Sequence, residues 1–289
     1  MVRRVKAVLG KACVRKVGHA GTLDPFASGL LIILLDQGTK LFPFLMAQKK
    51  TYLATIRLGV ETDTLDLTGR VVRRREILPL TGEEIRAKAE CFIGRIQQTP
   101  PAYSAVKLQG VRAYELVRKW LPVALKTRTV NVYDLRILEY TSPHITFEVS
   151  CSSGTYIRSL ADDLARALGP GGHLTSLRRL GSGSFQVRDA LSSKEILPQK
   201  TAMLTGERMM TLADALPGIP TLDVAPELAE KIRHGHQPAW EQVSRGSKSL
   251  PDENGLIKLV SRHALVAVLR IQKDQTDPQT KVHIERVFV

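Results

Sequence analysis

The chain has 289 residues, which suits one large domain with a smaller one, or two domains of middling size. Lys and Arg together number 42 against 28 acidic residues, so the formal net charge is +14. Because a protein this basic usually meets a polyanion, the charge favours a nucleic-acid-binding protein over a merely basic globular one. The three cysteines are far apart, which excludes zinc-ligand spacing and a disulfide framework and predicts a reducing compartment.

Two features of the sequence bear on location. The apolar run at 30–35 is too short to span a membrane. The first ten residues carry basic side chains but no long apolar core, so no signal peptide is predicted. We therefore expect a cytoplasmic protein without a membrane partner.

The positive charge is concentrated in the first part of the chain. Residues 219–289 hold 10 basic and 9 acidic residues, which leaves 32 basic and 19 acidic residues for 1–218. The segment Leu216-Pro217-Gly218-Ile219-Pro220 is typical of a linker. The sequence therefore predicts a larger domain over 1–218 with the surface that faces the polyanion, and a smaller domain over 219–289.

Hydrophobic patterns predict the first elements of the larger domain. A short amphipathic helix is expected over 3–9, and the Gly- and Pro-containing segment 18–25 is expected to be a loop. The apolar run 30–35 is typical of a strand buried on both faces. A short helix over 39–47 and a half-buried strand over 51–58 follow.

The rest of the larger domain mixes helices and strands. Thr81 and Glu84 have the spacing of a capping box, which opens a helix with one apolar stripe. The stripe consists of Ile85, Ala89, Phe92 and Ile93. Strands are predicted near 129–140, 144–151 and 175–188, with a helix over 156–168 between the last two. Because strands and helices do not alternate strictly, we predict a mixed α+β fold rather than a doubly wound one.

The smaller domain is predicted to be rich in β-structure. A helix over 226–233 is followed by strands near 256–260, 264–272 and 282–289. Several short strands in about seventy residues suggest a small barrel or sandwich.

Several common catalytic motifs are missing from the sequence. There is no phosphate-binding GxxxxGK[ST] loop, no complete dinucleotide fingerprint and no HExxH. His234 and His236 flank Gly235 without a further ligand nearby, so surface histidines are the better interpretation. No metal and no organic cofactor are predicted.

The sequence around Asp24 favours a catalytic role for this residue. The proline that follows it disfavours helical geometry at Asp24, and Gly18 and Gly21 permit close approach of a ligand to the backbone. A carboxylate on a rigidly held loop suits a nucleophile or an acid–base group. The alternative is an ordinary turn or capping residue.

Five segments of the chain resemble, in the same order, the motifs of TruB-type pseudouridine synthases. The segments are GHAGTLDPFASGLL at 18–31, KTY at 50–52, TPPAYSAVK at 99–107 with RAYE at 112–115, SGTYIR at 153–158 with DDL at 162–164, and HLTSLRR at 173–179. Five motifs in order are a strong signal, whereas one alone can occur by chance. The resemblance implies an α+β catalytic domain with a mixed or antiparallel sheet.

The activity implied by the resemblance is the isomerisation of uridine to pseudouridine at position 55 in the T-loop of tRNA, without a cofactor. Asp24 is then the nucleophile, Arg158 its bidentate partner, and Tyr52 a residue that stacks on the base and assists proton removal. Attack on the ribose, addition to uracil C6 and a glycal route all stay open. A phosphate contact for Arg158 and a core role for Tyr52 are the alternatives.

The resemblance also assigns a substrate-binding set. Leu177 is expected to form an apolar wall against the uracil, and His19 to fill the space left by the flipped nucleotide, unless it is a loop histidine bonded to backbone. Phosphate contacts and groove residues are expected at Lys49, Lys50, Tyr103, Lys107, Arg112, Tyr114, Tyr156, Arg178 and Arg179.

Further expectations concern the ends of the chain and its partners. Family members begin with a strand and a Lys-Pro-x-Gly segment, and this sequence starts within the helix expected after them. Residues 219–289 resemble a PUA-type module that holds the acceptor end of tRNA. We expect a monomer that binds the T-arm of tRNA and needs no protein partner.

Three rival functions follow from the same residues. A non-catalytic tRNA chaperone explains the charge but not the group of Asp24, Tyr52 and Arg158. A sugar-cleaving enzyme requires a second carboxylate, for which Asp36, Asp63 and Asp66 are available without a comparable motif. A guide-RNA-dependent relative requires partner proteins, and the stand-alone form is the better match.

Overall fold

The computed structural model describes residues 1–104, 106–108, 110–119, 123–196, 209–244, 255–272 and 280–289; the side chains at 11–13, 107, 108, 112 and 118 lie outside this description. The described chain forms two compact units. The central-sheet unit comprises Gly21–Leu31 and Met46–Ala190, and the terminal unit comprises Met1–Ala20, Ile32–Leu45 and Leu191–Val289. The domain boundary predicted at residue 218 stays a prediction.

Strands and helices have the following bounds. The strands are β1 (Val17–His19), β2 (Ser28–Gly29), β3 (Ile33–Leu35), β4 (Lys50–Leu58), β5 (Val60–Thr62), β6 (Val71–Arg74), β7 (Gly94–Gln98), β8 (Lys107–Leu108), β9 (Val111–Arg112), β10 (Arg128–Thr141), β11 (His144–Cys151), β12 (Gly172–Ser182), β13 (Phe185–Gln186), β14 (Thr221–Asp223), β15 (Leu256–Ser261), β16 (Ala264–Gln272) and β17 (Lys281–Val287). The α-helices are α1 (Val2–Cys13), α2 (Phe42–Met46), α3 (Gly82–Glu90), α4 (Ala113–Arg118), α5 (Ile157–Ala167), α6 (Pro226–Arg233) and α7 (Trp240–Val243), with 3₁₀ helices at Asp36–Leu41 and Val187–Asp189.

A seven-stranded sheet dominates the central-sheet unit. Its strand order is β13-β12-β4-β11-β10-β7, with all neighbours antiparallel, and β2 pairs in parallel with β12. The mixed α+β class with a mixed sheet is therefore confirmed.

The core of this unit lies where helices cover the sheet. On β4 the side chains of Tyr52, Ala54, Ile56 and Leu58 are buried, as the alternation predicted. Helix α5 packs against β4 and β12, and α3 packs against β10 and α5. The capping box at the start of α3 is confirmed. The Thr81 hydroxyl accepts a hydrogen bond from the backbone N–H of Glu84, and the Glu84 carboxylate accepts one from the backbone N–H of Thr81.

Three predicted elements differ from the structure. The segment 18–25 does not begin as a loop, because Val17–His19 pairs with Ile33–Leu35 as a two-stranded sheet. The strand predicted over 30–35 is therefore short, and only its middle residue is buried. The helix opened by the capping box ends at Glu90, before Phe92 of the predicted stripe.

The terminal unit contains helix α1, the β1–β3 pair and a four-stranded sheet. This sheet has the order β14-β15-β16-β17, and α6 packs on β15 and β16. The predicted helix over 226–233 and the three predicted strands after it are confirmed in place. Over the described residues, no helix combines the length and apolarity needed to cross a membrane.

Candidate active site

The carboxylate of Asp24 and the guanidinium of Arg158 form a two-point ion pair. Arg158 Nε lies 3.1 Å from Asp24 Oδ2, and Arg158 Nη2 lies 2.9 Å from Asp24 Oδ1. The Arg158 side chain is 5% exposed, whereas the Asp24 side chain is 27% exposed. Two charge-assisted hydrogen bonds thus orient the carboxylate, while part of it stays open to a ligand. The structure forms the pair that the resemblance implied; the catalytic roles of both residues stay predictions.

The remaining donors of Arg158 also have partners. Its Nη1 donates to the carbonyl of Thr64 at 2.8 Å and lies 3.6 Å from the carboxylate of Asp66, and its Nη2 donates to the carbonyl of Tyr103 at 3.0 Å. A buried guanidinium is tolerated when its charge and its N–H groups are satisfied in this way. Tyr103 takes part through its main chain, and the groove role predicted for its ring stays a prediction.

Asp66 is a member of this site that the sequence offered only as a carboxylate for a sugar-cleaving enzyme. The hydroxyls of Thr64 and Thr68 donate to Asp66 Oδ1 at 2.8 and 2.5 Å, and the Thr68 backbone N–H donates to the same oxygen at 2.9 Å. The Arg158 guanidinium therefore contacts two carboxylates, Asp24 and Asp66. A contact between residues so far apart in the chain leaves no local sequence pattern.

The backbone at Asp24 forms a tight turn. The Ala27 N–H donates to the carbonyl of Asp24 at 2.9 Å. The sequence left two interpretations of Asp24 open, a turn residue and a reactive carboxylate. Both fit the structure, because the carbonyl closes the turn while the side chain faces Arg158.

Tyr52 and Leu177 lie on neighbouring strands and are both buried. The register pairs Leu177 with Ala54 and Arg179 with Tyr52, so these four side chains share one face of the sheet. Burial raises the pKa of the Tyr52 phenol, and the Arg179 guanidinium acts in the opposite direction. Tyr52 is therefore a neutral phenol at physiological pH.

Tyr156 precedes α5, and its main chain is held by Gln98. Gln98 Oε1 accepts from the Tyr156 N–H at 2.7 Å, and Gln98 Nε2 donates to the Tyr156 carbonyl at 3.0 Å. The Arg128 guanidinium lies 4.6 Å from the centre of the Tyr156 ring, a cation–π contact. This clamp fixes the start of α5, and therefore the place of Arg158. Gln98 is a further residue that the sequence did not single out.

Lys50 and Arg179, for which phosphate contacts were predicted, are both buried. They are 5% and 1% exposed. The Lys50 ammonium donates to the carbonyls of Met46 and Gln48 at 2.8 and 2.7 Å, and Arg179 donates to three carbonyls of its own unit. Burial, followed by repulsion from Arg179, lowers the pKa of Lys50 to about 8. Both side chains point to the covered face of the sheet, and the substrate-binding roles predicted for them stay predictions.

Lys49, which precedes Lys50, and Arg178, which precedes Arg179, are both exposed. Arg178 and Arg179 are consecutive on β12, and consecutive side chains of a strand point to opposite faces. The predicted phosphate contacts of Lys49 and Arg178 are therefore sterically accessible and stay predictions.

His19 belongs to the terminal unit. It is half-buried on β1, so it is a strand residue rather than the loop histidine that the sequence allowed. It lines a cleft of about 540 Å³ in that unit together with Lys16, Lys40 and Arg286. The cleft is basic, which suits an anionic ligand.

Three further members of the predicted binding set lie near α4. Tyr114 is half-buried on α4. Lys107 and Arg112 pair across the β8–β9 hairpin, but their side chains lie outside the described residues. The binding roles of all three stay predictions.

Asp24 lies in the same compact unit as Tyr52 and Leu177. Asp24 supplies a carboxylate, Tyr52 a neutral phenol and Leu177 an apolar surface. Within the described ranges, no three His, Cys, Asp or Glu side chains are grouped to hold a metal ion.

Solved structures share this fold. A chain of the crystal structure of a Cbf5-Nop10-Gar1 complex superposes with a TM-score of 0.73 at 24% identity, covering 100% of this chain and 80% of that chain. A chain of an H/ACA RNP bound to a substrate RNA containing 2'-deoxyuridine gives a TM-score of 0.70 at 22% identity, with the same coverage. At these identities the likeness defines the class of fold alone.

Sequence comparison is more specific. The family model for the TruB family pseudouridylate synthase N-terminal domain matches residues 7–157, and the model for the tRNA pseudouridylate synthase B C-terminal domain matches residues 158–215. A relative from Syntrophus aciditrophicus, tRNA pseudouridine synthase B, is 42% identical over 100% of this chain and 93% of its own length. The protein of that name from Thermosipho melanesiensis is 34% identical over 98% and 91%. The chain therefore belongs to the TruB family of pseudouridylate synthases.

Proposed function

We propose that this protein isomerises uridine to pseudouridine in tRNA, at the T-loop uridine of position 55, with Asp24 as the nucleophile. The relatives named above are tRNA pseudouridine synthases, and the net charge of +14 suits an RNA substrate. The single observation that carries the proposal is the two-point pair between Asp24 and Arg158.

The pair supplies what a carboxylate nucleophile requires. Two N–H donors from a guanidinium bind the two oxygens of the Asp24 carboxylate and fix its direction, so that binding the substrate does not reorient it. The 27% exposure of the Asp24 side chain leaves room for a ribose or a base. Asp66 contacts the same guanidinium at 3.6 Å and helps to hold it, so removal of either carboxylate changes the charge balance around Arg158.

The reaction balances without a cofactor. The bond between uracil N1 and ribose C1′ breaks, the uracil rotates, and a bond forms between C5 and C1′. The C5 proton leaves to solvent, and N1 gains a proton. Attack on C1′, addition to C6 and abstraction of a ribose proton each place the ionised Asp24 carboxylate next to the same nucleotide.

The target uridine must leave the folded T-loop to reach Asp24, because the carboxylate lies on a turn beside the sheet. We place the extruded uracil between the Tyr52 ring and the Leu177 side chain, which share one face. An aromatic ring and an apolar wall bind either face of a base by stacking and apolar contact. His19 is assigned to the space that the base leaves in the RNA.

The RNA backbone is assigned to exposed basic residues. Lys49 and Arg178 are exposed beside the buried Lys50 and Arg179. Lys107 and Arg112 belong to the same assignment on sequence grounds. Phosphate contacts of this kind give affinity that falls as the salt concentration rises.

Residues 219–289 are assigned to a PUA-type module that holds the acceptor end of the tRNA. The net charge of +1 in this part supports a modest share of the binding energy. We assign the protein to the cytoplasm, where it acts on tRNA as a monomer without a protein partner.

Tritium release tests the proposal. Unmodified tRNA labelled with tritium at uridine C5 is incubated with the wild type, with Asp24→Asn and with Asp189→Asn, whose exposed side chain serves as the matched control. We expect release by the wild type and the control, and a loss of about 10⁴-fold or more for Asp24→Asn with tRNA binding retained.

The other outcomes are equally informative. Release by Asp24→Asn at the wild-type rate removes Asp24 from its role but keeps the enzyme class. Binding of tRNA without release by the wild type favours the chaperone function.

A further inference from the structure

Arg179 is a fully buried residue whose guanidinium contacts the backbone around Asp24. Its side chain donates to the carbonyls of Leu30 at 2.8 Å, Gly21 at 3.1 Å and Thr22 at 3.4 Å. These carbonyls lie at the two ends of the segment Gly21–Leu30, which we name the Asp24 loop. One guanidinium therefore bridges the start and the end of the loop that carries the nucleophile.

The backbone of Arg179 reinforces the same connection. The Leu30 N–H donates to the Arg179 carbonyl at 2.9 Å, and β2 pairs in parallel with Arg178 and Arg179. Gly29 has φ +100°, and a Cβ there would lie 2.3 Å from the Arg179 carbonyl oxygen. Only glycine permits this close approach. The end of the Asp24 loop is thus joined to Arg179 by both side chain and main chain.

Tyr52 is a further neighbour of Arg179. The two residues are direct cross-strand partners, so their side chains leave the sheet on the same face. The guanidinium also lies close enough to lower the pKa of the phenol against the effect of burial. Arg179 therefore connects the loop of Asp24 with the strand of Tyr52.

We propose that Arg179 is a positioning residue for the isomerisation, and that it holds the Asp24 loop at a fixed distance from Tyr52. This inference rests on the proposed function, which supplies the reaction. The planar fork of arginine suits the task, because it presents several N–H groups to carbonyls in different directions at once. Lysine offers a single nitrogen on a flexible stem, so it replaces only part of this network.

A phosphate contact at Arg179 predicts a different result from a positioning role. Loss of a phosphate contact weakens tRNA binding and leaves the rate of the bound complex intact. Loss of a positioning residue lowers the rate of the bound complex and leaves binding intact, and a displacement of about 1 Å is enough for about a 100-fold loss.

The experiment compares Arg179→Lys and Arg179→Met with the wild type and with Arg136→Met, a surface control whose arginine side chain is 60% exposed. Single-turnover tritium release is measured at saturating enzyme, and the Kd for tRNA is measured by filter binding. We expect the rate to fall about 100-fold for Arg179→Met and about 10-fold for Arg179→Lys, with Kd changed by less than about twofold. Arg178→Met, on the opposite face, is the comparison in which Kd is expected to rise.

Amide hydrogen exchange provides a readout that does not depend on activity. In the wild type the Leu30 N–H is bonded to the Arg179 carbonyl, so we expect it to be protected. In Arg179→Lys we expect faster exchange over Gly21–Leu31 and unchanged exchange in α3, which lies elsewhere in the same unit. Arg179→Lys keeps the positive charge, so its exchange rates show whether Arg179 holds the Asp24 loop even if Arg179→Met fails to fold.

Two results overturn the proposal. One is a wild-type rate in Arg179→Lys together with unchanged exchange over the Asp24 loop. The other is a raised Kd with an unchanged rate, which makes Arg179 a phosphate contact. A wild type that releases no tritium contradicts the proposed function instead, and the exchange result still decides whether Arg179 holds the loop.

Discussion

The two large sheets of the protein bury different kinds of side chain. In the terminal unit, β16 buries five consecutive apolar residues, Leu265 to Leu269. In the central-sheet unit, the buried face that carries Tyr52 also carries Lys50 and Arg179, and Arg158 is buried at the start of α5. The described strands of the terminal sheet bury an apolar core together with Lys258, whereas the central-sheet unit buries Lys50, Arg158 and Arg179 with its apolar core.

The comparison shows what a buried cation requires. Arg158, Arg179 and Lys50 each have carbonyl or carboxylate partners within hydrogen-bonding distance. Lys258, a buried cation of β15, follows the same rule, because its ammonium donates to the carbonyls of Ala213 and Leu216 at 2.7 and 3.0 Å. Arg158 differs from the others in that one partner, Asp24, is a partly exposed carboxylate. A buried cation becomes part of an active site when it orients a group that a substrate can reach.

Removal of Arg158 is expected to have the largest effect on stability and activity. Arg158→Met leaves Asp66 buried and Asp24 unpaired, so we expect the free energy of unfolding to fall by about 3–5 kcal/mol. We also expect tritium release to fall at least about 100-fold, because Asp24 loses its orientation. Urea denaturation and the tritium assay measure the two effects.

The surface control is Arg136→Met, whose ion pairs with Asp134 and Glu148 are exposed and contribute about 0–1 kcal/mol. Equal destabilisation by Arg158→Met and Arg136→Met would contradict a structural role for the buried pair.

A core truncation in the sheet of the terminal unit measures how much its apolar core stabilises it. Leu259 on β15 is fully buried, and we expect Leu259→Ala to destabilise the terminal unit by about 3 kcal/mol through lost burial and a residual cavity. Amide exchange over β15 and β16 measures the effect locally. The control is Leu138→Ala on β10, where the side chain is 54% exposed and little change is expected. Similar effects of the two variants would show that the apolar sheet is not stabilised by this core.

The smallest expected effect concerns pH and Lys50. The pKa of Lys50 is lowered from 10.5 to about 8 in the folded protein, so the unfolded chain binds more protons between these values. The contribution of this group to stability therefore rises with pH from about 8 to 10.5 and is lost as the pH falls through 8. Because Lys50→Met cannot titrate, we expect the wild type to gain about 1 kcal/mol per pH unit over it in this window.

Urea unfolding at pH 8, 9 and 10 measures this difference. Lys49→Met changes the exposed neighbour of Lys50, so we expect its free energy of unfolding to change with pH as that of the wild type does. Parallel profiles for Lys50→Met as well would mean that burial does not alter the affinity of Lys50 for its proton.

Local patterns in the sequence were sufficient for most elements of the fold. The alternation over 51–58, the capping box at Thr81 and the helix over 226–233 depend on interactions between residues a few positions apart. The strand predicted over 30–35 is confirmed only for Ile33–Leu35, because apolarity alone does not specify a partner strand. The short β1 limits the pairing to Ile33–Leu35.

The site was only partly accessible to sequence reasoning. Asp24 and Arg158 were paired through the family resemblance, but Asp66 and Gln98 reach the site only when distant segments come together. Basic residues were counted as phosphate contacts without regard to strand phase, so the burial of Lys50 and Arg179 was not predicted.

The sequence was sufficient for the family and the α+β class, because these depend on motifs and on periodicities of two and 3.6 residues; it also singled out Asp24, whose role as the nucleophile stays a prediction. The tertiary structure alone decided which member of the pairs Lys49–Lys50 and Arg178–Arg179 is buried. The physical reason is that burial depends on what covers a strand, and the Asp24 loop covers β12 only after the chain has folded.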